Sequence, residues 1–174
     1  MHKLRDTPCD TEADLKRLLK DVVGHCRLYV LGLGNTDRAD DGAGIVVAEN
    51  LKKPFPEFSF SEHDGVEGTV LDISEKDEVA SVVFVDAADL KLSPGSIRVV
   101  KKEQIRETEI TTHRVAVALM ASILAKTGKE SAVVCIQPGS VEFRGRMTQP
   151  VMRSVEAIVK ALSDLMSQGD SQAR

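Results

Sequence analysis

Tryptophan is absent from this sequence, tyrosine occurs once, and aromatic residues make up only 3% of it. Few flat rings are therefore on offer to stack single-stranded bases. An excess of basic charge is missing too. The formal net charge is -4, which argues against a nucleic-acid backbone or an anionic membrane as partner. No apolar run approaches the roughly 20 residues of a membrane span. The opening "MHKLRDTPCDTEADLKRLLK" has no apolar signal core. Cysteine is scarce: Cys9, Cys26 and Cys135 are odd in number and lack CxxC spacing, which suits reduced thiols better than disulfides or a zinc knuckle. HExxH, GxSxG and GxxxxGK are all missing. The expectation is a cytoplasmic domain with no nucleic-acid or membrane partner.

With 174 residues, 42% of them hydrophobic, the chain can bury a sizeable core as one domain, 1–174. Residues 1–26 read as an N-terminal extension. It carries an amphipathic helix at 11–23, with Leu15, Leu18, Leu19, Val22 and Val23 on one stripe. A core at 27–166 follows, and 167–174 is expected to fray. Strands are expected at 27–33, 58–63, 81–86, 96–102 and 132–138, with helices at 42–51, 69–76, 112–126 and 148–166. Strands alternating with helices predict a three-layer α/β/α sandwich. In such sheets the ligand site lies beyond the carboxyl ends of the strands.

The stretch "LYVLGLGNTDRADDGAGIVVAENL", 28–51, turns from strand to helix on glycines. A dinucleotide turn wants G-x-G-x-x-G, but Asp37 occupies the third glycine's place after Gly32 and Gly34. Asp37, Asp40 and Asp41 would also meet a pyrophosphate with like charge, against the logic of helix-terminus anion sites. Capping of the helix by a carboxylate is the plainer alternative. One cap accounts for one aspartate, so capping and a functional role both stand.

The other strand ends bear on that choice. Asp86 terminates "VVFVD", His113 opens the helix "TTHRVAVALM", and Gln137 follows a late strand. Each has a bland reading as a cap or surface group. Two carboxylates and an imidazole converging at one end of a sheet would suit a borderline divalent cation in an open shell. His63, beside the turn at Asp64, is the competing imidazole.

Four pieces, in order, resemble the hydrogenase maturation endopeptidases: "VLGLGNTDRADDGAG" (30–44), "VDAADLKLSPGSIRVV" (85–100), "TTHRVAVAL" (111–119), and "IQPGSVEF" with "MTQP" (136–143, 147–150). The "TTH", "IQP" and "MTQP" pieces are similar to the branch serving hydrogenase 3 of formate hydrogenlyase. The resemblance implies a mainly parallel, twisted five-stranded sheet within the sandwich. It also implies an aspartyl-type endopeptidase that removes the C-terminal extension of a [NiFe] hydrogenase large-subunit precursor after nickel insertion. Nickel already held by that substrate would be the recognition motif, with other divalent cations able to substitute. Carried over by motif, the metal-binding and catalytic residues are Asp41, Asp86 and His113. Asp40 and Asp37 stay open as base or cap.

Two departures stand out. The amphipathic extension precedes a strand that usually opens the family's chains, and "DGVEG" places Val66 and Glu67 where small or hydroxyl residues are commoner. Two other readings compete. A nickel-reading hydrogenase chaperone that no longer cleaves would keep the same three residues. Peptidyl-tRNA hydrolase also carries "GLGN", but its histidine and asparagine should follow that turn, and tRNA suits the charge poorly.

Overall fold

A computed structural model describes residues 12–24, 26–101, 104 and 114–172. Five strands, β1 (Arg27–Gly32), β2 (Ser59–Ser61), β3 (Ala80–Ala87), β4 (Ile97–Lys101) and β5 (Glu130–Ile136), form one sheet in the order β2-β1-β3-β5-β4. All neighbours run parallel except β4, which pairs antiparallel with β5. Among the described residues, the helices around them are α1 (Glu12–Val23), α2 (Ala43–Lys52), α3 (Val66–Glu75), α4 (Arg114–Lys126) and α5 (Gln149–Gln172).

Every residue of β3 is buried, as a central strand covered on both faces requires, and this is why its middle, Val82 to Val85, is continuously apolar rather than alternating. On one face Leu28, Val30, Val83, Val85 and Val134 pack against α1, α2 and α5. On the other, Leu31, Val82, Phe84, Val133 and Cys135 pack against α3 and α4. This is the expected three-layer sandwich.

The amphipathic extension is part of the core. Leu15, Leu19 and Val23 of α1 are buried against α5, each contributing about 1.5–3 kcal/mol by removal from water. Lys16 pairs with Asp164 at 2.6 Å and Lys160 with Glu12 at 2.8 Å along the same seam. These exposed pairs fix register more than they stabilise.

Several boundaries differ from the sequence reading. β2 spans only three residues, because 62–64 wind into a 3-10 turn in which Ser61 and Asp64 bond reciprocally. The "DGVEG" turn ends early, since α3 begins at Val66 on a left-handed Gly65. α5 runs past Met166 to Gln172, so 167–172, expected to fray, are helical. Gly169 is the weakest helix former there, and its cost relative to alanine is only about 1 kcal/mol.

The first turn of α2 lies directly on the sheet. A Cβ built on Gly44 would sit 2.1 Å from the Val85 carbonyl oxygen and 2.4 Å from that of Leu33. Gly44→Ala is therefore expected to lift α2 and cost about 2–3 kcal/mol. An unchanged urea midpoint for the variant would contradict this packing.

Candidate active site

From β1 the chain passes through α2 to β2 on one side. From β3 it passes through β4 and α4 to β5 on the other. Connections thus diverge between β1 and β3, and the crevice at their carboxyl ends is the sheet's switch point.

Leu33 extends the β1–β3 pairing by donating its N–H to the Val85 carbonyl at 2.9 Å. Gly34 then turns with φ 130°, a conformation that L side chains rarely adopt. Its N–H donates to the Glu62 carboxylate at 3.1 Å. Asn35 donates its N–H to the Asp41 carbonyl at 3.1 Å, and Asp41 donates its own to the Arg38 carbonyl at 3.0 Å. Residues Ala39–Gly42 form a 3-10 turn that leads into α2. The half-buried Asp41 is thereby pinned through both backbone groups, next to the ends of β1 and β3.

Asp86 is fully buried near the end of β3. It alternates with Val82 and Phe84, which places it on the α3/α4 face. Its register partner is Cys135, whose partner across β4 is Arg98. α4 leads into β5 through 127–129, so its last turn lies at the amino end of that strand. Its first residue, Arg114, therefore stands toward the carboxyl end, about 20 Å away at 1.5 Å per residue. His113 itself lies outside the described residues. Among the described residues, no group of three or more His, Cys, Asp or Glu stands close enough to hold a metal ion. Asp41 and Asp86 thus occupy neighbouring parallel-strand ends, and the sequence joins His113 directly to α4.

The remaining candidates sort by their contacts. No side chain caps the 3-10 turn or α2, so none of the three aspartates is a helix cap there. Asp40 faces away from the helix N–H groups and toward the 139–148 loop. Its Oδ2 accepts from the N–H groups of Gly139 (2.7 Å) and Ser140 (2.9 Å) and from Thr148 Oγ1 (2.9 Å). Its Oδ1 accepts from the Thr148 N–H at 2.6 Å. Asp37 is exposed, with its N–H donated to Asn35 Oδ1 at 2.9 Å. His63 is exposed on the 3-10 turn after β2. Gln137 organises the chain after β3, accepting at Oε1 from the Leu90 N–H at 2.7 Å and the Leu92 N–H at 3.3 Å. Burial works against ionisation of Asp64, but bonds from Lys52 and Ser61 outweigh it and hold its carboxyl below the usual value.

The family profile described as hydrogenase maturation protease (HycI) matches residues 64–165. The hydrogenase 3 maturation protease of Escherichia coli K12 is 32% identical over 136 residues, covering 76% of this chain and 86% of that one. The chain belongs to the hydrogenase maturation protease family. The solution structure of the E. coli endopeptidase HycI matches with a TM-score of 0.63 at 27% identity, over 79% of this chain and 90% of that one. The [NiFe] hydrogenase maturation protease HycI of Thermococcus kodakarensis KOD1 matches with a TM-score of 0.71 over 86% of this chain and 99% of that one. At 24% identity, this second likeness speaks for the fold alone. The protein is a hydrogenase maturation protease.

Two residues of this protease's crevice escaped the sequence reading. Glu62 reaches across from the end of β2 to the glycine turn. Arg98 shares a cross-strand row with Asp86 and Cys135. Alternation in "SIRVV" puts Arg98 on the same face as the buried Val100, a signal available from sequence once the inner face is known.

Cys135 is the thiol of this row and is buried. Burial pushes it up to about 12, Asp86 adds to the rise, and Arg98 opposes it. At pH 8 only about one part in ten thousand would be thiolate. Cys135 is expected to resist Ellman's reagent in the folded protein and to react once unfolded. Rapid native labelling at Cys135, located by peptide mapping, would contradict that burial.

Proposed function

We propose that this protease removes the C-terminal extension of a [NiFe] hydrogenase large-subunit precursor after nickel insertion, and that it reads the substrate's nickel as proof of loading. The observation that carries the reading is the seating of Asp41 and Asp86 at the ends of adjacent parallel strands at the switch point, within a chain of this family. Carboxylates in place of phosphate-binding groups suit a cation on the incoming substrate. His113 completes the set with an imidazole, the donor that suits nickel. Other divalent cations that accept oxygen and imidazole donors could substitute.

The reaction is peptide hydrolysis. Water adds to the scissile carbonyl carbon, the C–N bond breaks, the new carboxyl keeps the added oxygen, and the amine leaves with a proton. A carboxylate of the crevice takes the proton of the attacking water. Nickel on the precursor supplies positive charge near the carbonyl oxygen. The work is assigned to the cytoplasm, with the precursor as partner and neither nucleic acid nor membrane involved. Among the described residues no helix is long and apolar enough to cross a membrane.

Mass spectrometry of matched nickel-loaded and nickel-free precursors tests the reading. The loaded precursor should lose its C-terminal peptide and the nickel-free one should stay intact. Asp41→Asn, Asp86→Asn and His113→Ala should each slow cleavage by about 100-fold or more. An unshortened loaded precursor would leave only the chaperone reading. Variants that cleave at the wild-type rate would sink the site assignment.

A further inference from the structure

The fully buried Asp40 makes more contacts with the 139–148 loop than with its own turn. Four donors, from residues 99 to 108 positions away, occupy both of its carboxylate oxygens. Two backbone bonds run beside them. The Asp40 N–H donates to the Ser140 carbonyl at 3.0 Å, and the Arg144 N–H to the Asp37 carbonyl at 2.6 Å. Gly145 lies so close to Ala39 that an added Cβ would come within 3.1 Å of that methyl. Ala39 is itself held at φ 46°, a left-handed conformation that a non-glycine residue adopts only when its surroundings impose it. Successive side chains on a 3-10 turn diverge by about 120°. Asp40 reaching into the loop therefore fixes the direction left for Asp41.

We propose that Asp40 is a positioning residue: it latches the 139–148 loop to the glycine turn and thereby sets the orientation of the Asp41 carboxylate. The inference rests on the protease reading for its kinetic consequence but not for its structural one. Charge-assisted bonds to a buried carboxylate are among the stronger ones. An amide in its place would turn an N–H group toward N–H donors. Small misplacements of a catalytic group cost large factors in rate.

Two readouts test the latch. Arg144 and Arg146 are exposed in the loop, so the rate of trypsin cleavage after them measures how tightly the loop is held. Turnover of nickel-loaded precursor measures how well Asp41 is placed. Asp40→Asn should speed loop cutting by about 10-fold and lower kcat by about 10- to 100-fold, with KM within about 3-fold. Thr148→Val, which removes one of the four donors, should shift both readouts the same way by less. Thr148→Ser, which restores the hydroxyl, should return both to the wild-type level. Should Asp40→Asn not fold, the Thr148 pair decides alone.

Lost turnover with an unchanged loop and an inert Thr148→Val would make Asp40 a proton-transfer group and overturn the proposal. A loosened loop with wild-type kcat would overturn it as well. If wild type fails to cleave the precursor, the functional reading falls, while the trypsin arm still reports on the latch.

Discussion

The contact between the first turn of α2 and the ends of β1 and β3 governs this molecule. At Gly44 there is no room even for a methyl group against the Val85 and Leu33 carbonyls, and Gly32 meets the Gly44 carbonyl just as closely. This approach brings the 3-10 turn of Ala39–Gly42 over the sheet's switch point. The glycines of "GLGN" and "DDGAG" therefore serve the seating of a helix and its leading turn on the sheet. With no phosphate to bind, the turn is free to carry carboxylates.

Those carboxylates divide the labour. Asp41 is half-buried with its backbone pinned on both sides, while Asp40 is buried and saturated by donors from a distant loop. Of these adjacent like-charged residues, Asp40 is the one turned into the 139–148 loop, where donors surround it. Asp86 adds a second carboxylate from the neighbouring strand. It is buried on the face where α4 packs, in a row with the Arg98 guanidinium. Burying a carboxylate in such a place is costly unless charge or hydrogen bonds accompany it.

Much of this was legible in the sequence. The continuous apolar runs of β1, β3 and β5 and the heptad-like stripes of α1 and α5 follow from hydrophobic period alone, and they place the strand ends. Asp41 and Asp86 could be picked as strand-end carboxylates without any contact information. The role of Asp40 could not, because its four donors lie 99 to 108 residues away and no local pattern encodes them. Glu62 was hidden by the short β2, whose alternation runs on into residues that in fact wind into a 3-10 turn. The tail beyond Met166 was misjudged because polar composition suggests fraying, whereas one long amphipathic helix on α1 can propagate past its last buried turn.

Nickel X-ray absorption on the precursor, alone and with the protease, bears most directly on the central claim. A precursor made uncleavable by proline after the scissile bond would hold the complex together. The account predicts that adding wild-type protease contributes new oxygen and imidazole-nitrogen scatterers to the nickel shell, and that Asp41→Asn with His113→Ala abolishes the change. A nickel shell identical with and without bound wild-type protease would contradict it.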